Sequence, residues 1–201
     1  MQKNFEGVFK VFRKTYVPIP LEVFGRNKYK TLISTLLSSR TKDETTLAAS
    51  KRLFKKAPSL KKLKELTVKE IRNEIYPVGF YKTKANHIKA LAKFLVEEKK
   101  GQIPKTREAL MILPGVGRKT ANLVLNRAFG KPAIAVDTHV HKITNFLGWV
   151  NTTSPEKTEE ALTKILPKRY WEETNRLFVS IGRQFTTKGR LEAFLKKNSL
   201  I

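Results

Sequence analysis

Nine consecutive residues, Leu113-Pro114-Gly115-Val116-Gly117-Arg118-Lys119-Thr120-Ala121, have the types and spacing to grip a phosphate. Glycine tolerates left-handed backbone and places no Cβ in the way of a ligand. Downstream, Ala121, Val124, Leu125 and Ala128 share one face of a helix, and Gly130 stands where a helix-ending glycine belongs. Upstream, Thr106 caps a short helix ending near Ile112. The pattern is helix, glycine hairpin, helix. In such a hairpin the backbone N–H groups of Gly115, Gly117, Arg118 and Thr120 point outward without helical partners. With the helix dipole behind them they can bind a phosphate oxygen. Such a contact holds a nucleic acid by its backbone and ignores base sequence. The same string also fits an ordinary glycine turn between two core helices.

The rest of the chain favours the phosphate. Of 201 residues, 41 are Lys or Arg and 17 are Asp or Glu, a formal charge of +24, so nucleic acid is the expected partner. Hydrophobic residues make up 40%, including 12 Phe, too apolar for a disordered basic tail. No uncharged apolar run approaches the roughly 20 residues of a membrane helix, so no membrane association is expected. The opening Met1-Gln2-Lys3-Asn4-Phe5-Glu6 leads into Lys10, Arg13 and Lys14, which interrupt any signal-peptide core. An intracellular protein of the cytoplasm or nucleoid is expected. With no cysteine, disulfides, zinc–thiolate sites and cysteine-ligated iron–sulfur clusters are excluded. His139 and His141, two apart, fall on different faces of a helix and do not suit one metal. Runs such as Lys61-Lys62-Leu63-Lys64 and Glu97-Glu98-Lys99-Lys100 read as solvated helix faces.

The elements that must position the hairpin are helical. Phe5, Val8, Phe9 and Phe12 form one apolar stripe; Tyr29, Leu32, Ile33, Leu36 and Leu37 a second; Ala85, Ile88, Leu91, Ala92 and Leu95 a third, stopped near Gly101. Thr41-x-x-Glu44 and Thr67-x-x-Glu70 read as capping boxes, and Ser154-Pro155 as an N-cap with proline at the first helical position. Only Ala133–Val136 resembles a strand, too short to build a sheet. The expectation is an all-α protein of nine or ten short helices.

Leu113–Ala121, taken with Ala133-Ile134-Ala135-Val136-Asp137-Thr138-His139-Val140, resembles the helix-hairpin-helix (HhH-GPD) DNA glycosylase superfamily, in its endonuclease III-like branch. Leu36–Asp43, Val78-Gly79-Phe80-Tyr81-x-x-Lys84-Ala85 and Ile181-Gly182-Arg183 match the same family, so the resemblance spans roughly residues 28–183. It implies two helical lobes: a six-helix barrel with the hairpin over 21–131, and a second lobe from 1–20 and 132–201, with the active site in a cleft between them. It implies a bifunctional DNA glycosylase and AP lyase that excises a damaged base, first of all an oxidised pyrimidine. Its partner is double-stranded DNA with a damaged base or abasic site, and the related enzymes act as monomers. The alternatives are a monofunctional glycosylase for alkylated or mismatched bases and a non-catalytic DNA-binding module.

The resemblance assigns catalysis to Lys119 and Asp137. The residues allow it. Lys119 would sit in a helix's first turn, where the dipole disfavours a cation, and partial burial would further favour a neutral, nucleophilic amine. Asp137 would stabilise positive charge developing on the sugar, besides capping the helix from Thr138. Read alone, Lys119 is one basic residue among 41 and Asp137 merely a cap. The resemblance also implies Arg40 and Phe80 as the plug filling the gap left by a flipped base, His139 as structural support, and main-chain carbonyls of Met111, Leu113 and Val116 around a Na⁺ or K⁺ ion. Arg40 departs from the family's usual glutamine. The four cysteines that hold a [4Fe–4S] cluster in most endonuclease III relatives are missing, and Gln184–Leu191 leads instead into a final basic helix. Phe178, Ile181, Phe185, Leu191, Phe194 and Leu195 are left to stabilise that region by apolar packing.

Overall fold

Side-chain caps explain most of the helix starts. The computed structural model describes residues 3–201; Met1 and Gln2, the first two of the N-terminal stretch read above, lie outside the described residues. Asn4, Asn27, Ser59, Thr67, Thr106, Asp137, Ser154 and Thr187 each accept a backbone N–H in the first turn of the helix that follows. These open α1 (Phe5–Lys14), α2 (Lys28–Ser38), α4 (Leu60–Glu65), α5 (Val68–Ile75), α7 (Arg107–Met111), α9 (Thr138–Phe146), α10 (Pro155–Ile165) and α12 (Lys188–Lys197). The helices α3 (Asp43–Lys56), α6 (Tyr81–Glu97), α8 (Arg118–Phe129) and α11 (Trp171–Gln184) begin without a side-chain cap. With two 3-10 turns at Pro20–Phe24 and Lys168–Tyr170, the described residues form an all-α fold with no strand. None of these helices is long and apolar enough to cross a membrane.

The described residues form twelve α-helices, more than the nine or ten expected. α4 has only six residues and two core positions, Leu60 and Leu63, too few to show a period. α7 has only five residues and one buried position, Leu110, so it too shows no period. The Thr67–Glu70 capping box is present, with bonds in both directions. The Thr41–Glu44 box is not: α3 starts at Asp43 behind Lys42, because the Thr41 hydroxyl is engaged elsewhere.

The chain divides into two compact units, Met1–Ile19 with Pro132–Ile201, and Pro20–Lys131. In the second, α2 is the central element. Every residue from Thr31 to Leu37 is buried, and the helix touches α3, α6, α8 and the Pro20–Phe24 turn. A helix buried all round is a fixed post, and its C-terminal end delivers Ser39 and Arg40 to the surface. In the first unit, Val8, Phe9 and Phe12 of α1 enter one core with Val140, Ile143, Leu177, Phe178, Ile181, Leu191 and Leu195. Phe9 stacks on Tyr170 at 4.2 Å between ring centres, and Phe185 stacks on Phe194 at the same spacing. Aromatic packing therefore ties α12 to α1 and α11, and all six apolar residues expected to hold this region belong to the core or lie against it. The segment Ala133–Val136 is buried and forms no helix or strand, and the Asn175 side-chain amide donates to its Ala135 carbonyl at 3.0 Å.

Candidate active site

The hairpin forms between α7 and α8. Leu113 and Val116 are buried, and the Val116 N–H donates to the Leu113 carbonyl at 3.0 Å, which closes the turn. Gly115 takes φ +77°, and a Cβ there would meet the His87 ring at 2.7 Å. This is a glycine requirement on two counts. Gly117 has φ −90°, an ordinary extended value, and no atom lies within 4 Å of where its Cβ would stand. Only one hairpin glycine uses the left-handed region; the other leaves open space in front of α8. No side chain caps α8, and no acid stands in its first turn, which carries Arg118, Lys119 and Thr120. At its far end Gly130 closes the helix at φ +62°, with Gly130 and Lys131 N–H groups donating to Asn126 and Leu125.

Lys119 is exposed, in contrast to the partial burial expected of it. Asp137, in the other unit, is half-buried and caps α9: its Oδ1 accepts from His139 N at 3.0 Å and Val140 N at 2.9 Å. Both bonds use one oxygen, so Oδ2 remains free of hydrogen bonds within the described residues. The His139 ring lies against Gly182, where a Cβ would come within 2.1 Å of Nδ1. His141 bonds instead to the Thr158 hydroxyl at 2.6 Å. Among the described residues there is no cluster of His, Cys, Asp or Glu able to hold a metal ion.

Arg40 and Phe80 meet. The guanidinium lies 5.5 Å from the centre of the Phe80 ring, and the ring is 60% exposed, not a core aromatic. Both residues have left-handed backbone, φ +50° and +57°, which costs a side-chain-bearing residue about 1–2 kcal/mol each. Arg40, Phe80 and Gly115 line one pocket of about 350 Å³ with Leu36, Ser39, Thr83, Lys84 and His87. The sequence places Lys84 in a family motif as a residue that could line the groove, with no defined role, and does not single out His87. Lys84 is only 7% exposed, and burial pushes its ammonium down to about 8. Its Nζ donates to the carbonyls of Leu37 and Ser39 at 2.7 and 2.5 Å and to the Thr41 hydroxyl at 3.2 Å. A signal was present: Lys84, Ile88, Leu91 and Leu95 share the buried stripe of α6, a lysine on an apolar face. Ile112, 71% exposed beside the hairpin, also went unnoticed.

Residues 33–168 match the model of the HhH-GPD superfamily of base excision DNA repair proteins. This chain belongs to that superfamily. Among HhH-GPD relatives, endonuclease III of Thermotoga maritima is 48% identical over 156 residues, covering 78% of this chain and 73% of its own. Endonuclease III homolog 2, chloroplastic, of Arabidopsis thaliana is 45% identical over 207 residues, and this chain spans 53% of that longer protein. A solved structure of a trapped endonuclease III–DNA covalent intermediate superposes with a TM-score of 0.78 at 33% identity, covering 90% of this chain and 87% of its own. The HhH-GPD match spans the hairpin, Lys119 and Asp137 as well as the Arg40–Phe80 pocket.

Proposed function

We propose that the protein is a bifunctional DNA glycosylase and AP lyase that removes damaged bases, oxidised pyrimidines foremost, from double-stranded DNA. The observation that carries this reading is the start of α8: an uncapped, acid-free helix N-terminus behind an open glycine, with Lys119 exposed in its first turn. The N–H groups of Gly115, Gly117, Arg118 and Thr120 take a phosphate of the DNA backbone. A Cβ-free approach at Gly117 lets that phosphate come close. Arg40 and Phe80 fill the stack: the guanidinium holds the orphaned base and the exposed ring wedges the gap. The likeness to an endonuclease III trapped covalently on DNA supports the nucleophilic role of the lysine.

The chemistry follows from these groups. The neutral Lys119 amine attacks the sugar C1′, the glycosidic bond breaks, and the base leaves with the bonding electrons and gains a proton. Asp137, through the oxygen not used as a cap, stabilises positive charge on the sugar and accepts a proton from the attacking nitrogen. Ring opening gives a protonated Schiff base. Loss of a C2′ proton then expels the 3′ phosphate by β-elimination, and water returns the free amine. His139, seated against Gly182, fixes the turn that presents Asp137.

Two inorganic groups belong to this reading differently. The carbonyls of Met111, Leu113 and Val116, at the end of α7 and in the hairpin, are hard oxygen donors suited to Na⁺ or K⁺. Such an ion would add positive charge beside the phosphate. A [4Fe–4S] cluster does not fit: these 201 residues hold no cysteine, and aromatic packing secures α12. A repair enzyme of this kind works where the genome is, inside the cell, as a monomer.

Borohydride trapping on thymine-glycol and abasic duplexes tests the reading. The native chain should give a covalent protein–DNA adduct, and Lys119→Ala should give none. An adduct that persists in Lys119→Ala would remove that lysine from the role; base release without strand cleavage would mark a monofunctional enzyme.

A further inference from the structure

We propose that Lys84 is a positioning residue, which with Thr41 locks the Arg40–Phe80 pair into its working shape before DNA arrives; this rests on the reading of that pair as the plug. Two loops carry the plug. One leaves the end of α2 through Ser39 and Arg40, and the other enters α6 through Gly79 and Phe80. Neither loop would hold its shape alone, because each contains a side-chain-bearing residue in the left-handed region. Such conformations persist only where surrounding contacts over-determine them.

Those contacts converge on one hydroxyl. The Thr41 Oγ1 donates to the Ser39 carbonyl at 3.1 Å and accepts from the Gly79 N–H at 3.1 Å and from Lys84 Nζ at 3.2 Å. One donor and two acceptor positions are the full capacity of a hydroxyl, and all three are used. Lys84 adds bonds to the carbonyls of Leu37 and Ser39, which lie past the reach of the α2 ladder. A cation at a helix C-terminus is favourably placed. The two loops are also in hard contact. A Cβ on Gly79 would stand 2.4 Å from the Arg40 carbonyl oxygen, so no larger residue fits between them. Lys84 thus reaches from α6 under the loop that leaves α2, where it holds Ser39 and Thr41 on either side of Arg40, and the Thr41 hydroxyl carries the tie on to Gly79, the neighbour of Phe80.

A lysine that served only general stability would matter equally for every substrate. A lysine that sets the plug matters where a base must be displaced from an intact stack. The test compares single-turnover excision of thymine glycol from a full duplex and from the same duplex with an abasic analogue opposite the lesion. In the second substrate no partner base is left to hold. Lys84→Met and Thr41→Val are measured beside Phe80→Ala, with folding checked by circular dichroism. We expect Lys84→Met and Thr41→Val to slow excision from the full duplex by about tenfold or more and from the second substrate by less than about twofold. Equal slowing on both substrates, or none on either, would overturn the inference. Should Lys84→Met fail to fold, Thr41→Val decides alone. If Phe80→Ala itself shows no duplex-specific loss, the plug reading falls and this inference with it. If Phe80→Ala shows the loss and the Lys84 and Thr41 variants do not, only the positioning role falls.

Discussion

The two hairpin glycines should fail in opposite ways. In Gly115→Ala, the methyl group enters a left-handed position at φ +77° and meets the His87 ring at 2.7 Å. The backbone term costs about 1–2 kcal/mol. The clash adds on the order of 1 kcal/mol, at the low end for overpacking because the half-buried His87 ring can turn aside. A total near ~2–3 kcal/mol should lower the melting temperature by about 5–10 °C in a chain of this size. In Gly117→Ala the backbone, at φ −90°, suits alanine, and the methyl group meets nothing within 4 Å. Its only folding cost is the weaker N-cap preference, below about 1 kcal/mol. The same methyl group, however, stands in the proposed path of the phosphate, so affinity for any duplex, damaged or not, should fall about tenfold, or about 1.4 kcal/mol. Thermal melting by circular dichroism and fluorescence anisotropy on labelled duplexes at one fixed salt concentration separate the two effects. A Gly117→Ala chain that melts as early as Gly115→Ala, or binds duplex DNA as tightly as the native chain, would refute the open-glycine account of phosphate binding.

Three further outcomes are expected. Folding drops the Lys84 ammonium from its ordinary 10.5 to about 8, so the folded chain sheds this proton first as pH rises. Native stability relative to Lys84→Met should therefore climb between about pH 8 and 10.5, by up to about 3 kcal/mol, and stay flat below pH 7; urea titrations across that range check the slope. Asn caps a helix as well as Asp, so Asp137→Asn should melt within about 0.5 kcal/mol of the native chain yet turn over slowly, whereas Asp137→Ala should also lose about 1 kcal/mol of stability. Gly182→Ala drives a methyl group to within 2.1 Å of the His139 ring and should cost about 1–3 kcal/mol, read by thermal melting.

The hairpin was legible because its signals are local: a glycine string, a capping threonine at Thr106 and a closing Gly130 act within a few residues of themselves. The α1 stripe and the Thr67 box were legible for the same reason. Thr41 was misread because the competition for its hydroxyl comes from Gly79 and Lys84, 38 and 43 residues away in the chain. A capping box is a local pattern, and a tertiary bond can outbid it. The exposure of Lys119 and the extended backbone of Gly117 depend on what stands nearby in space, which no spacing rule reports. Lys84 was written into the buried stripe of α6, but an apolar count treats a lysine there as an exception and passes over it.

The placement of Arg40 at the end of α2 has a consequence for how lesions are found. A helix with seven successive buried residues cannot slide or tilt without opening the interior of its unit, so the backbone that carries Arg40 is held in place. On the proposed function, the nucleic acid then does the deforming. Kinking and unstacking are cheapest where a lesion has already weakened the duplex, and a rigid wedge converts that softness into recognition. On the proposed function, discrimination between damaged and sound DNA then begins with the mechanics of the double helix, before any base has reached Lys119.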